Sequence, residues 1–368
     1  MTRVERIETY VHHNVCIVRV RTDDGAEGIG QTAPGQAHIS AEVLHSLVAP
    51  HFLGRDPFAI GTLVDECARA QYKYWGSFFF RALGGVDTAL WDLMGKAQGR
   101  PVYDLLGGKV RENVPVYASS MSRETTPEDE AARLAGHVEE LGFDCVKIKI
   151  GKRVGRDADA QKNRTATLVP LLRNTLGDSV DIMADANGCY SPAQAVRVGR
   201  MLEEYGYCHL EEPNPAWELD NMARVAADLD IPVGAGEQEF SLEIIWRMIS
   251  QRLVDVIQPD ICYVGGLTRA KRVAELAEVA GIPCTPHCSN RSMVQIFTAH
   301  FALAMPAVSQ FQEWSIEKQR RVGQIYEPVP VVRDGTIELS DAPGWGVEVP
   351  KTFFDEADHR VSKASDGA

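Results

Sequence analysis

The chain has 368 residues, 45% of them hydrophobic, and this length and apolar content suit two packed domains better than one. Its formal net charge of −13 argues against nucleic acid or an anionic membrane surface as a partner. The 8 cysteines form no CxxC pattern and the N-terminal residues contain no apolar signal segment, so we expect a cytoplasmic protein without disulfides or a membrane anchor.

The first 113 residues predict an α+β domain, because strands come first and helices follow. Alternating and periodic apolar residues predict strands at 3–11, 15–22 and 27–32, and helices near 38–49, 57–70 and 79–98. Asp24 and Gly25, between the second and third strands, are typical of a hairpin turn. We place the end of this domain at residue 113, where the rhythm of the sequence changes.

From residue 114 to 314 short apolar runs alternate with amphipathic segments, which predicts a (β/α) barrel whose last helix is missing or replaced. The eight runs are VPVYASS (114–120), DCVKIKI (144–150), SVDIMADAN (179–187), YCHLEEP (207–213), IPVGAGE (231–237), VDVIQPD (254–260), IPCTPH (282–287) and SQFQEW (309–314). Thr126-Pro127 and Ser191-Pro192 are typical helix starts, and a further helix is predicted near 157–176. We expect the segment 315–368, which loses the rhythm, to return to the first domain.

Three carboxylates stand at equal intervals in the barrel region: Asp185, Glu211 and Glu237 are each 26 residues from the next. Each ends a predicted strand, and the interval matches one strand–helix unit, so the side chains are expected to meet at the carboxyl end of the barrel. Converging carboxylate oxygens are the ligands that Mg²⁺ prefers. The sequence therefore predicts a magnesium site, and the interval favours Glu211 over Glu212 as its second ligand.

Other polar residues end the neighbouring strands at a similar spacing, namely Lys147, Lys149, Asn187, Asp260, His287 and Glu313. Barrel interiors are normally filled with branched apolar side chains, so a ring of charges at one height indicates a bound ion or substrate. Lys147 and Lys149 share one face of their strand, and adjacent ammonium groups lower each other's pKa, which would provide a base. Asp260 and His287 end consecutive strands, so the carboxylate can fix the tautomer of the imidazole.

The ordered motifs Lys-x-Lys, Asp-Ala-Asn, Leu-Glu-Glu-Pro, Ala-Gly-Glu, Gln-Pro-Asp, Pro-His and Gln-Glu-Trp, together with residues 81–108, resemble the mandelate racemase subgroup of the enolase superfamily. The resemblance implies an α/β fold, a (β/α)7β TIM-like barrel with an α+β capping domain formed by the N-terminal part and the C-terminal tail. It implies one Mg²⁺ per subunit, replaceable by Mn²⁺, with the ligands Asp185, Glu211 and Glu237.

The same resemblance implies roles for the remaining strand-end residues. Lys149 is expected to be a base on one face of the substrate, with the dyad of His287 and Asp260 on the other face. Glu313 is expected to donate a hydrogen bond to the substrate carboxylate. On physical grounds a lysine ammonium would stabilise the charge developing there, and we include Lys147 among the predicted catalytic residues.

Such a site would remove the proton α to a carboxylate and form an enediolate. The resemblance favours β-elimination of water from a sugar acid, an aldonate or aldarate, to a 2-keto-3-deoxy acid; a racemase, epimerase or cycloisomerase with the same first step is the alternative. A non-catalytic sugar-acid binding protein is a third hypothesis. A metallohydrolase is disfavoured because VPVYASS contains no His-x-His. A small carboxylate is the expected partner.

The link between the first two strands, where the family usually carries a loop over its active site, is reduced here to residues 12–14. We therefore expect the mouth of the site to be open, or to be covered by the aromatic segment 72–75 or by a neighbouring subunit of a homo-oligomer. The predicted substrate-binding residues are His12, Tyr74, Trp75 and Asn187.

Overall fold

The computed structural model describes residues 2–308, 310–317 and 325–364; Ser309 of the last predicted strand and parts of the predicted C-terminal segment lie outside the described residues. The strands are β1 (Val4–His12), β2 (Val15–Thr22), β3 (Glu27–Gln31), β4 (Val114–Ser119), β5 (Cys145–Lys149), β6 (Asp181–Asp185), β7 (His209–Glu211), β8 (Val233–Ala235), β9 (Val256–Ile257), β10 (Gln312–Ser315), β11 (Thr336–Ile337) and β12 (Asp358–Lys363).

The α-helices are α1 (Ala37–Val43), α2 (Ile60–Ala70), α3 (Ser77–Gln98), α4 (Val102–Leu105), α5 (Pro127–Leu141), α6 (Arg164–Leu176), α7 (Pro192–Glu204), α8 (Leu219–Asp228), α9 (Leu242–Ser250), α10 (Leu267–Ala280), α11 (Val294–Ala304) and α12 (Lys351–Glu356). A π-helical turn follows α1 at Leu44–Val48, and short 3-10 turns lie at Ala49–His51 and Tyr72–Tyr74. Among the residues described, none of these helices is both long and apolar enough to cross a membrane.

The first domain is built on an antiparallel sheet in the order β12-β1-β2-β3, so a C-terminal strand completes a sheet of N-terminal strands. The predicted hairpin turn is confirmed, since the Thr22 N–H donates to the Ala26 carbonyl at 3.0 Å and Gly25 adopts a left-handed φ of 90°. Helix α3 lies against this sheet so closely that a Cβ at Gly30 would come within 2.4 Å of the α3 backbone. The domain boundaries at 113 and 314 stay a prediction.

The second sheet is curled, and seven of its strands run parallel in the order β10-β4-β5-β6-β7-β8-β9, with α5 to α11 between them. Its eighth strand, β11, pairs antiparallel with β4. This arrangement confirms the predicted barrel with a capping domain. The strand predicted at 282–287 is wrong, because only Cys284 forms isolated bridges, to Ile257 and to Val308. Pro283 and Pro286 flank this residue, and a proline has no N–H to donate to a ladder.

Two predicted helix starts are confirmed by their caps. The Thr126 hydroxyl accepts the Asp129 N–H at 3.1 Å ahead of α5, and the Ser191 hydroxyl accepts the Gln194 N–H ahead of α7. The helix predicted at 157–176 starts later than expected, at Arg164. Residues 151–163 form instead a loop in which four non-glycine residues have positive φ, namely Val154, Arg156, Asp157 and Asn163.

His45 connects three parts of the first domain. Its Nε2 lies 2.8 Å from the Thr9 hydroxyl on β1, and its Nδ1 lies 2.7 Å from the Ser362 hydroxyl on β12. Burial, reinforced by the nearby Arg360, lowers the pKa of His45 from 6.5 to about 4. The unfolded chain therefore takes up this proton before the folded chain does. The contribution to stability is complete above the unfolded pKa and is lost as the pH falls toward the folded one.

We predict that replacing His45 by glutamine, which does not titrate, flattens the acid side of the stability profile. The free energy of unfolding of the parent should fall more steeply than that of His45→Gln between about pH 7 and about pH 4.5. Urea denaturation at the two pH values measures both slopes. Identical pH dependence in the two proteins would show that the fold does not lower the pKa of His45.

Candidate active site

The parallel register brings the predicted site residues to one end of the barrel. Lys149 pairs with Asp185 in the sheet, and Asp185 pairs with Glu211, so the carboxyl ends of β5, β6 and β7 are level. A cavity of about 460 Å³ opens above them, within the usual size of small-molecule sites. Its polar lining includes Lys149, Asn187, Glu212, Glu237, Tyr263 and His287.

Lys147 is a buried cation fixed between two carboxylates. Its Nζ lies 2.7 Å from Glu211 and 2.9 Å from Glu313. Burial would lower the pKa of Lys147, but the charges of Glu211 and Glu313 outweigh it and hold that pKa well above the ordinary value. The expectation that the two lysines depress each other's pKa is therefore wrong for Lys147. Lys149, whose ammonium group contacts Asp185, is the one of the pair that lines the cavity.

The structure places His287 and Asp260 side by side. His287 Nδ1 lies 2.8 Å from an Asp260 oxygen, and the other oxygen of Asp260 accepts the N–H groups of Cys262 and Tyr263 at 2.8 and 2.9 Å. His287 Nε2 lies 3.3 Å from Glu237. Burial would lower the pKa of His287, but Glu237 and Asp260 raise it to about 10, so the ring is protonated here. Its orientation is set by Asp260.

Glu313 is an acceptor in this structure. It accepts the Ser119 hydroxyl at 2.7 Å and the Cys288 N–H at 2.5 Å, and it pairs with Lys147. Burial would raise the pKa of Glu313, but Lys147 and His287 lower it to about 2. Glu313 is thus an acceptor here and not the expected donor, because its oxygens already face three donors.

Of the four residues predicted to bind substrate, only Asn187 lines the cavity. His12 packs on α12, 3.6 Å from Glu356, and Trp75 donates its indole N–H to the Ala68 carbonyl at 2.7 Å. The Tyr74 side chain is 62% exposed. The placement of His12, Tyr74 and Trp75 at the substrate is corrected accordingly: their segments pack within the capping domain or face solvent, and none of the described lining residues comes from them.

Glu212 and Tyr263 are among the lining residues that were missed from the sequence. Glu212 follows Glu211 directly, yet its left-handed φ of 41° lets both glutamates turn inward, so both are buried. Tyr263 forms a wall of the cavity, and the guanidinium of Arg81 from α3 lies 3.3 Å above its ring, which joins the capping domain to the site. The Glu-Glu doublet was a signal for Glu212, whereas no local pattern points to Tyr263.

Arg123, in the loop after β4, was also missed. Its Nε donates to the Gly151 carbonyl at 2.9 Å and its Nη2 to Asn187 Oδ1 at 3.0 Å. Asn187 has φ 41°, and its backbone N–H donates to Asp185 at 2.8 Å. Its side-chain amide donates to Asp185 at 3.2 Å and to Glu212 at 3.4 Å. Arg123 therefore sets the orientation of the amide that spans two of the carboxylates.

We predict that Arg123→Ala lowers turnover about ten- to hundredfold, since buried acceptors lose a charged donor. Arg123→Lys should recover part of the loss, because a single ammonium cannot serve both acceptors. Steady-state kinetics and thermal melting of the two variants measure the effect, with the exposed Arg224→Ala as the control. A full loss of folding in Arg123→Ala together with normal turnover in Arg123→Lys would show a purely structural role.

Two carboxylates beside the cavity have a buried oxygen to which no described residue donates a hydrogen bond. These oxygens are Glu212 Oε1 and Glu237 Oε2, and only the second has a charged neighbour, His287 Nε2 at 3.3 Å. Burial, followed by repulsion from Glu237 and Asp185, raises the pKa of Glu212 well above its ordinary value. An all-oxygen donor set that includes a buried Glu212 oxygen without a donor fits a divalent cation such as Mg²⁺.

The same carboxylates are not assembled as a coordination shell. Over the described part of the chain, no group of three or more histidine, cysteine, aspartate or glutamate side chains is arranged to hold a metal ion. The reason is that lysines occupy them: Lys149 contacts Asp185, while Lys147 and Gln258 donate to Glu211 at 2.7 and 2.9 Å. Cation binding would require these oxygens to turn away from the ammonium groups.

Comparison with known families matches the chain in two parts. Residues 4–107 match the mandelate racemase / muconate lactonizing enzyme N-terminal domain, and residues 129–353 match the enolase C-terminal domain-like model. The second match alone covers more than half of the chain.

Among curated proteins, the chain is 32% identical to a D-galactonate dehydratase of Ralstonia pickettii, over 96% of this chain and 94% of that protein. It is 31% identical to a D-galactarolactone cycloisomerase of Agrobacterium fabrum, over 92% of this chain and 90% of that protein. Among solved structures, a protein of Roseobacter denitrificans provisionally named a racemase is 44% identical, with a TM-score of 0.95 over 98% of this chain and 100% of that one. A mandelate racemase/muconate lactonizing protein of Paracoccus denitrificans, complexed with magnesium, is 29% identical. Its TM-score is 0.90, over 99% of this chain and 100% of that one.

Proposed function

The chain belongs to the mandelate racemase / muconate lactonizing enzyme family of the enolase superfamily, and from this premise we propose that it dehydrates a sugar acid to a 2-keto-3-deoxy acid. The observation that carries the proposal is one cavity lined both by Lys149 and by His287, which Asp260 orients. Lys149 ends β5 and His287 lies beyond β9, so the two groups reach the cavity from different sides of the barrel.

In the proposed reaction Lys149 first releases its ammonium proton to solvent and then accepts the α-proton of the substrate. Lys147, whose charge Glu313 holds in place, stabilises the negative charge that develops on the substrate carboxylate. His287 then donates its Nε2 proton to the β-hydroxyl, which leaves as water, and the resulting enol becomes the keto acid. Asp260 keeps the imidazole turned toward this step.

We propose that Asp185, Glu211 and Glu237 hold a divalent cation, Mg²⁺ or Mn²⁺, with Glu212 adjacent to them. When bound, the cation offsets negative charge on the substrate carboxylate as the α-proton leaves. The all-oxygen donor set, and the buried Glu212 oxygen without a donor next to it, support this assignment. The homo-oligomer and the cytoplasmic location stay predictions.

A racemase, epimerase or cycloisomerase is the second candidate, because it needs the same proton abstraction. The similarity to the D-galactarolactone cycloisomerase supports it. A substrate without a leaving group on the β-carbon would be reprotonated instead of dehydrated, and no further residue would be needed.

A panel of aldonates and aldarates incubated with the protein and Mg²⁺ in D₂O separates these candidates. Dehydration releases a keto acid, which a carbonyl reagent detects, whereas epimerisation only exchanges the α-proton for deuterium, which proton NMR detects. We expect keto-acid formation from at least one acid and none after chelation of the metal. Absence of both products over the whole panel would refute α-proton abstraction from a sugar acid.

A further inference from the structure

One cation of the cavity has no part in the proposed reaction. Arg153 lines the cavity together with Lys149, but it forms no hydrogen bond or ion pair with any other described residue. Lys149 is already in contact with Asp185. Arg153 is therefore the cation of the cavity that is free to receive an anion.

The loop that carries Arg153, residues 151–163, is anchored at its first half. The N–H of Val154 donates to the Asn187 carbonyl at 3.0 Å, and the N–H of Asp157 donates to the Cys189 carbonyl at 2.9 Å. Val154, which also lines the cavity, is held at a left-handed φ of 50°. This conformation is costly for a β-branched residue and persists where the surroundings impose it, commonly at ligand sites. Arg153 thus stands on a defined wall of the cavity.

The charges around Arg153 define what it can bind. The lining carboxylates Glu212 and Glu237 and the chain's net charge of −13 repel an anion, so away from the proposed cation site an anionic group is attracted where a cation is unpaired. A guanidinium binds a carboxylate through two parallel hydrogen bonds. We propose that Arg153 binds the distal carboxylate of a sugar diacid, so that aldarates are preferred over aldonates; this inference rests on the proposed function.

The distal carboxylate lies away from the reacting carbons, so its contact contributes equally to the bound substrate and to the transition state. Removing it should raise KM and leave kcat largely unchanged. For a charge-assisted contact the expected change is about ten- to hundredfold. Arg153→Lys should fall between the parent and Arg153→Ala, because an ammonium keeps the charge and loses the bidentate geometry.

The test compares acids that share a carbon skeleton, gluconate with glucarate and galactonate with galactarate, in the presence of Mg²⁺. In the parent we expect a higher kcat/KM for a diacid than for its partner. Arg153→Ala should lower kcat/KM for the diacid and leave kcat/KM for the monoacid unchanged. Lys152 is an exposed neighbour that does not line the cavity, so Lys152→Ala should change kcat/KM for neither acid.

The proposal is overturned if the parent prefers the monoacid, or if Arg153→Ala lowers kcat/KM equally for the diacid and the monoacid. A preference for a phosphorylated monoacid over the diacid also overturns it. Calorimetric binding of the same acids gives a second measurement without turnover. If the parent binds the diacid through Arg153 but releases no keto acid and exchanges no α-proton, the proposed function fails and the Arg153 site stands.

Discussion

Asp185→Asn, Glu211→Gln and Glu237→Gln are each expected to abolish Mg²⁺-dependent turnover, with a loss of about a thousandfold or more. The reason is that a divalent cation contributes several kcal/mol to the stabilisation of developing negative charge, and each 1.4 kcal/mol is about tenfold in rate. An amide keeps the shape of the carboxylate but supplies no charge. Turnover at increasing Mg²⁺ concentration, with calorimetric titration of the metal, measures the loss.

The controls are a glutamate-to-glutamine variant outside the proposed cation site and a measurement of folding. Glu239→Gln changes a glutamate whose side chain only accepts the N–H groups of Phe240 and Ser241, so turnover should survive it. Thermal melting without Mg²⁺ should show all the amide variants folded. Retained activity in any two of the three ligand variants would refute the metal assignment.

Glu212→Gln decides between the two adjacent glutamates. Glu211 ends β7 and pairs with Asp185 in the sheet. Glu212 lines the cavity and has a buried oxygen without a hydrogen-bond donor among the described residues. If Glu212→Gln abolishes metal binding and Glu211→Gln does not, Glu212 is the ligand and Glu211 serves only to hold Lys147.

The positions of the strand-end side chains could be predicted because the barrel repeats one strand–helix unit. Residues separated by the length of that unit lie at the same level along the barrel axis. A strand–helix unit of constant length puts Asp185 and Glu211 level, as the sheet register shows. The same reasoning failed where one backbone angle decides the outcome. The left-handed φ of Glu212 turns a second glutamate inward, and alternation along an extended strand predicts the opposite.

Contacts between segments that are distant in the sequence could not be predicted either. The pKa of Lys147 was predicted from its neighbour Lys149, but Glu211 and Glu313 from other strands decide it. The position of Arg123 depends on the path of an irregular loop, for which neither alternation nor helical periodicity gives a rule. Side-chain spacing therefore predicted the ring of groups, and the partners of each group required the three-dimensional structure.

Lys149→Ala and His287→Asn are expected to fail at different steps. Without Lys149 the α-proton stays on the substrate, so both deuterium exchange and keto-acid formation should fall by about a hundredfold to ten-thousandfold. His287→Asn removes the proton donor for the leaving hydroxyl while Lys149 remains. It should continue to exchange the α-proton in D₂O and lose keto-acid formation to a similar extent.

The comparison remains informative because each variant has an independent check. Lys149 touches Asp185, so metal titration of Lys149→Ala shows whether lost exchange reflects a missing base or a disturbed carboxylate. Lys162→Ala, an exposed lysine of the same loop region, should behave as the parent. Loss of exchange in His287→Asn with normal exchange in Lys149→Ala would reverse the assignment and make His287 the base. In that case Asp260, which holds the imidazole at 2.8 Å, would stabilise the imidazolium that forms.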